Sequence, residues 1–309
     1  MKNPLLLIVG LTATGKTNLA IEISKKLNAE IISADSMQIY KQMDIGTAKA
    51  TQEELMQCKH HLIDILEPQN EYSVAEYKEQ AEKIIADLYK KHKLPIIVGG
   101  TGLYTESLLY PYSFAQLPKN EEIRNKYKAL SNEFGNDYLL DLLKKIDPAE
   151  AEKSNDERRI IRALEIYELT GKTKSEHNLE QDKTSPYDFY IVALNADREI
   201  INNRINLRVD KMFESGLVTE VKNLLAQGVP KTAQSMQAIG YKEIIENLEG
   251  NITLDEAKEL IKNNTRHYAK RQLTWLKHMK NINWFDISEK EKAINSVLQK
   301  FSSFKKEDK

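Results

Sequence analysis

The chain has 309 residues, 41% of them hydrophobic, and a formal net charge of −1. That length can bury one large domain, or one domain carrying an insertion, and near-zero charge announces no polyanionic partner, so a nucleic-acid surface would be a local patch. The single cysteine, Cys58, excludes an internal disulfide and a cysteine-based zinc cluster and fits a reducing cytosol; a cytoplasmic monomer is expected. No apolar run is long enough to cross a bilayer, and the N-terminal one leads straight into a loop, so it reads as a strand and not as a signal peptide.

That first run, residues 5–9 (LLLIV), ends in GLTATGKT at 10–17. This is G-x-x-x-x-G-K-[ST] between a strand and a helical pattern, the context a phosphate-binding loop requires. Glycines let backbone N–H groups converge on phosphate oxygens, and the following helix adds its positive end. Lys16 offers a mobile charge to the outer phosphate and Thr17 a hydroxyl to Mg²⁺. A glycine-rich turn with an incidental lysine is the bland alternative, but every fixed position and both flanks match.

Apolar spacing predicts a helix over 16–27, a strand over 30–34 closing on Asp35, a third strand over 61–66, a helix over 72–90 and a strand over 94–98 closing on Gly99-Gly100-Thr101-Gly102. Strands alternating with helices argue a parallel sheet with helices on both faces, whose ligands collect beyond the carboxyl ends of the strands. Three such ends carry unusual chemistry: the phosphate loop, Asp35 and the Gly-Gly-Thr-Gly turn. After Tyr110 the texture becomes polar and helical, with Pro118 before one helix and Pro148 before another. We assign residues 114–155 to an inserted helical domain and 1–113 with 156–309 to the core. A helix over 155–170 closes on Gly171, residues 187–194 return to the sheet, and the remainder to Lys280 reads as helical, interrupted at Gly216. The charged tail 305–309 is expected to fray.

Several residues keep more than one reading on spacing alone. Asp35 suits a metal-holding carboxylate, a general base or a turn-forming aspartate. Thr101 is either incidental to a tight loop or a hydroxyl facing a planar ligand. Arg158, Arg159 and Arg162, with Arg204 and Arg208, are solvated helix faces or phosphate clamps. Arg266, Lys270, Arg271 and Lys277 beside Trp275 are a modest RNA signal or a core tryptophan flanked by solvated cations. His60 and His61 are adjacent and lack a metal-ligand frame.

Taken together, the segments resemble the bacterial tRNA dimethylallyltransferases. The matching runs are GLTATGKT (10–17), ISADSMQIYKQMDIGTAK (32–49), HHLIDI (60–65), VGGTGLY (98–104), RALEIYELTGKTKSE (162–176), QAIGYKEI (237–244) and KRQLTWLK (270–277). They follow the family's order over nearly the whole chain. Leu11 stands where many members have proline, and Arg158 where glutamine is common.

The resemblance implies a P-loop NTPase-like parallel sheet flanked by helices, with the inserted helical domain contacting tRNA. It implies transfer of a dimethylallyl group from dimethylallyl diphosphate to N6 of adenosine 37 in the anticodon loop. Gly10, Thr12, Ala13, Thr14, Gly15, Lys16 and Thr17 would hold the diphosphate, with Mg²⁺ at Thr17. Arg208 would neutralise the leaving group, Asp35 would be the general base and Thr101 would contact the adenosine. Asp35, Ser36, Met37 and Gln38 would line the RNA side, and Arg124, Arg158, Arg159 and Arg162 would hold the RNA. The rivals are a small-molecule kinase using ATP in the same loop and a non-catalytic RNA-binding NTPase.

Overall fold

The computed structural model describes residues 2–110, 117, 119–154, 156–179 and 184–304. The chain divides into two compact units, Met1–Leu109 with Pro186–Lys309, and Tyr110–Ser185.

In chain order the first unit opens with β1 (Asn3–Gly10), α1 (Lys16–Lys26), β2 (Ala29–Ser33), α2 (Gln52–Gln57), β3 (His60–His61), α3 (Val74–Lys90), β4 (Leu94–Val98) and α4 (Gly102–Leu109). The second unit holds α5 (Glu121–Phe134), α6 (Asn136–Ile146), α7 (Pro148–Ala151), α8 (Glu157–Thr170) and α9 (Lys174–Leu179). The first then resumes with β5 (Tyr187–Asn195), α10 (Arg198–Glu214), α11 (Leu217–Ala226), α12 (Tyr241–Leu248), α13 (Leu254–His278), β6 (Ile282–Asp286) and α14 (Lys290–Lys300).

The six strands form one sheet in the order β3-β2-β4-β1-β5-β6, all neighbours parallel. Leu6 pairs with Ile96 on one side and Tyr190 on the other. Continuous apolar runs suit strands buried on both faces. Leu6, Ile8, Ile31 and Ile96 pack with Leu19 and Ile23 of α1 and Ile294 and Val297 of α14. Leu5 and Leu7, which the pleat turns the other way, are equally buried, so both faces are covered. Capping boxes start α3 at Ser73 and α13 at Thr253, each pairing a hydroxyl and a glutamate with otherwise orphaned N–H groups.

In the second unit Leu139 and Leu143 of α6 meet Ile160, Ile161 and Leu164 of α8. This moves the boundary drawn at 155/156 to 185/186: the apolar stripe of α8 is the floor of the inserted unit and is not applied to the sheet. Gly171 does close α8 in the left-handed region, at φ 71°.

Two strands also differ from expectation. The one predicted over 61–66 is confined to His60–His61, because Leu62 and Asp64 adopt φ of 60° and 54°, which no ladder accommodates. β6 and α14, beyond the helical reading to Lys280, complete the sheet and cover it. The expectations at Pro118, at residues 114 and 155, and for the tail 305–309 fall outside the described residues.

Candidate active site

β1 delivers the chain to Gly10, and residues 11–15 curl back before α1 begins. Ala13 and Gly15 take left-handed φ of 64° and 88°, the second at the position preceding the helix, where glycine carries no steric penalty. No side chain caps α1, so its first N–H groups are left for a ligand. The Thr14 hydroxyl and the Lys16 ammonium both donate to Leu11 O, at 2.7 and 2.6 Å. Thr14 is thus buried, and its side chain shapes the loop while its backbone remains part of the nest.

A cavity of about 320 Å³ opens over this loop, lined by Thr12, Ala13, Gly15, Lys16, Thr17, Asp35, Gln38 and Arg208 among others. A second cavity of about 280 Å³ shares Thr12, Asp35, Arg208 and Tyr268 and adds Ser36, Met37, Met212, Ile239 and Arg271. Asp35 and Arg208 therefore stand where the two chambers meet.

The turn after β2 and the turn after β4 hold one another. Asp35 Oδ1 accepts from the N–H groups of Met37 (2.9 Å) and Gln38 (3.3 Å), so the aspartate does form a turn, with one oxygen. Its other oxygen has no hydrogen bond among the described residues. Thr101 Oγ1 accepts from Ser36 N (3.2 Å), and Thr101 N donates to Ala34 O (3.2 Å). The turn-forming and chemical readings of Asp35 are compatible: one oxygen fixes the carboxylate and leaves the other available.

Two further residues position these parts and escaped the sequence reading. Gln272 of α13 accepts from Thr12 N (2.8 Å) and donates to Gly100 O (3.1 Å), stapling the phosphate loop to the turn after β4. A Cβ at residue 100 would lie 2.0 Å from the Gln272 amide nitrogen, so only glycine admits the staple. Glu220 of α11 accepts from the consecutive N–H groups of Asp44 (2.9 Å), Ile45 (2.8 Å) and Gly46 (3.1 Å) and from the Tyr241 hydroxyl (2.6 Å). It pins the loop whose Thr47 and Ala48 line both cavities. The available signal was a buried glutamine inside a long polar helix, and a glutamate opposite Asp-Ile-Gly.

Burial and the neighbouring Arg208 lower the Lys16 pKa to about 7, with Asp35 opposing them. Burial also lowers that of Arg208, again against Asp35. Arg208 donates to Thr12 Oγ1 at 3.0 Å, and Arg204 to Ala13 O at 3.4 Å. A cation pair beside a phosphate loop disfavours its own charge until an anion arrives.

A family model described as IPP transferase matches residues 38–279. The chain belongs to the IPP transferase family. It is 52% identical over 290 residues to the tRNA dimethylallyltransferase of Thermoanaerobacter pseudethanolicus, covering 92% of each chain. Over 289 residues it is 50% identical to that of Bacillus licheniformis, covering 93% of this chain and 92% of the relative. Among solved structures it resembles a full-length tRNA isopentenylpyrophosphate transferase from Bacillus halodurans, with a TM-score of 0.74, 42% identity and 98% of both chains covered. A eukaryotic dimethylallyltransferase acting on tRNA gives a TM-score of 0.83 at 29% identity, over 99% of this chain and 81% of that one.

The inserted unit treats its four expected RNA-binding arginines differently. Arg124 grips Glu165 with two bonds (2.9 and 3.0 Å), and Arg162 adds a third (2.7 Å) and donates to Leu117 O (3.1 Å). Glu165 is wholly buried. These two arginines therefore form a knot around the buried Glu165 carboxylate. Arg159 pairs with Asp156 on the surface (3.2 Å), and exposed Arg158 has no partner among the described residues.

The basic stretch of α13 also resolves. Trp275 donates to Glu106 Oε2 (3.3 Å), and Arg266 donates to Asn206 and Asn263 (2.6 Å each). Arg271 instead lies over the Tyr268 ring and lines the second chamber.

Among the described residues no cluster of three or more His, Cys, Asp or Glu could hold a metal ion. Mg²⁺ commonly takes only one or two protein oxygens and fills its shell with phosphate and water. The Thr17 hydroxyl lines the first cavity and has no hydrogen bond among the described residues, so the loop fits such an ion. No helix among the described residues is long and apolar enough to cross a membrane.

Proposed function

We propose that the protein transfers a dimethylallyl group from dimethylallyl diphosphate to N6 of adenosine 37 in the tRNA anticodon loop, releasing diphosphate. One observation carries the reading: Asp35, with an unbonded carboxylate oxygen, and Arg208 share the boundary between a phosphate-loop cavity and a second chamber.

In this scheme the loop amides of residues 10–17 and the Lys16 ammonium hold the diphosphate. Mg²⁺ bound through Thr17 would supply charge to the departing oxygens. Arg208 sits on Thr12 and faces that same charge as it develops, the placement that lowers a barrier most. The adenine amine is a weak nucleophile because its lone pair is delocalised into the ring. The free oxygen of Asp35 takes its proton as the N6–carbon bond forms. A stacked base cannot reach this depth, so the adenosine is extruded into the second chamber, against Ser36, Met37 and Arg271. Exposed Arg158 and Arg159 are the arginines of the inserted unit left for RNA phosphates. The names of the relatives favour this reading over an ATP-dependent kinase.

The test is RNA mass after incubation with Mg²⁺, dimethylallyl diphosphate and an anticodon stem-loop bearing adenosine 3′ of the anticodon. A gain of one five-carbon unit is expected, and Asp35→Asn should slow it by about 10²–10⁴-fold while RNA binding persists. Unchanged RNA with consumption of ATP would overturn the assignment.

A further inference from the structure

The lining of the second chamber divides by chemistry. Asp35, Ser36, Tyr268 and Arg271 are polar members, whereas Val209, Met212, Ile239 and Ile261 are apolar. Val209 and Ile261 are also buried. A diphosphate on the loop of residues 10–17 puts the reacting carbon beside Arg208, and the hydrocarbon tail beyond that carbon matches the apolar set. Helix α10 supplies the alignment. Arg204, Arg208 and Met212 are four residues apart and share one face, each step about 6 Å along the axis. Arg204 donates to Ala13 O (3.4 Å) and Arg208 to Thr12 Oγ1 (3.0 Å). That face therefore starts on the phosphate loop and reaches Met212 one turn beyond Arg208.

A third cavity, of about 760 Å³, adjoins the second, and the lining residues common to the two are Ala48, Arg208 and Met212. Ala48 offers only a methyl group, its backbone fixed by N–H donation to Ile45 O (3.0 Å), and Arg208 is committed to Thr12. Half-buried Met212 is the member whose bulk closes the partition. Beyond it, Ile45, Leu55 and Leu207 give the third cavity apolar surface. A longer prenyl chain buries more apolar area and binds more tightly unless something stops it. An apolar pocket separates ligands one methylene apart by only about 10–200-fold, so preference for a short donor over a longer one requires a wall. An unbranched, flexible thioether suits that task, because it seals irregular gaps.

We propose that Met212 sets the length of the prenyl donor. It stops the tail at five carbons, and its truncation opens the second chamber into the third, where a second isoprene unit lies against Leu207 and Leu55. This rests on the loop holding the donor's diphosphate and on Asp35 serving an adenine amine. Chain length leaves the chemistry untouched. The N6–carbon bond forms as the carbon–oxygen bond breaks, that electron pair leaves on the diphosphate, and the N6 proton passes to Asp35. What changes is the group carried across, ten carbons in place of five.

The test offers dimethylallyl diphosphate and geranyl diphosphate, the ten-carbon homologue, with the same anticodon stem-loop, and reads RNA mass and kcat/KM for each donor. The parent should prefer the five-carbon donor by about 10²-fold or more. Met212→Leu keeps the bulk and should keep the preference. Met212→Ala should move the ratio toward the ten-carbon donor by about tenfold or more, with RNA gaining ten carbons, while its five-carbon transfer slows because the short tail is loosely held. Met212→Val, a milder truncation of this half-buried side chain, should fall between. Isothermal titration with geranyl diphosphate reads the same opening without turnover, as affinity raised about tenfold in Met212→Ala. Equal use of the two donors by the parent overturns the proposal. So does a donor ratio or geranyl affinity unchanged in both truncations. Failure of the transfer reading shows separately, as RNA that the parent leaves unmodified with either donor, and the titration still decides the role of Met212.

Discussion

Arginine does opposite work in the two units. In the first, Arg208 is largely buried yet forms no ion pair among the described residues. It rests on Thr12 Oγ1 and turns its remaining donors to the cavities. In the second, Arg124 and Arg162 close on one fully buried carboxylate, Glu165. What separates them is whether the fold places a carboxylate within hydrogen-bonding distance. A guanidinium already paired at short range is part of the core, and one held only by a hydroxyl is preorganised for an incoming anion.

The sharpest way to break this contrast is to remove one arginine of each kind. Arg208→Ala should cut kcat by about 10²–10³-fold, the usual loss when a preorganised donor to a developing oxyanion is deleted, with little change in the unfolding midpoint. Arg124→Ala should leave the folded enzyme's chemistry alone and destabilise the inserted unit by about 3 kcal/mol, the low end for breaking a buried pair because Arg162 remains. Rapid-quench kinetics and urea denaturation read the two effects. If they exchange places, the assignment of roles is wrong.

The knot also has a pH signature. Burial pushes the Glu165 pKa up, but hydrogen bonds from Arg124, Arg162 and Asn120 N–H outweigh it, leaving the value below the ordinary 4.5. Its stabilisation is therefore complete above pH 4.5 and lost as pH falls through the lower folded value.

A smaller effect tests the staple that makes Arg208's partner rigid. Gln272→Leu keeps volume but leaves Thr12 N and Gly100 O without their bonds. The loss is about 1–3 kcal/mol, expected as a donor KM raised roughly tenfold or more. Isothermal titration with a non-reactive donor analogue checks it, and unchanged affinity would make Gln272 a packing residue only.

These residues also mark how far the sequence could be read. β1, β2 and β4 were legible because burial on both faces leaves nearly unbroken apolar runs, and the phosphate loop because its spacing is tied to its chemistry. β6 was not: as an edge strand it mixes Asn283 with Trp284, which is 41% exposed, and shows neither a run nor a clean alternation. Asp35 and Thr101 were each visible at a strand end, but the bond that joins their turns, from Ser36 N to Thr101 Oγ1, spans 65 positions and that of Gln272 to Thr12 spans 260. The stripe on α8 was plain, whereas the surface it covers depends on α6. Likewise, the i,i+3 spacing of Arg162 and Glu165 was present, but not that Arg124 would arrive from another helix to complete the knot.

The smallest expected effect concerns Lys16, and its sign is diagnostic. Its pKa falls from 10.5 to about 7 in the fold. Between those values the unfolded chain holds a proton that the folded chain does not, so stability rises with pH across that window. Below pH 7 the folded protein carries a poorly solvated ammonium. Lys16→Met should therefore be more stable than the parent at pH 6, by a few degrees in Tm, with the gap narrowing as pH rises above 7. Binding runs the other way. A diphosphate restores the charge and takes up a proton, so donor affinity should weaken by up to tenfold per pH unit above 7 in the parent and stay flat in the variant. A parent whose donor affinity is level from pH 7 to 9 would mean that Lys16 is already charged before the donor arrives. The loop cation would then resemble the paired arginines of the inserted unit more than Arg208.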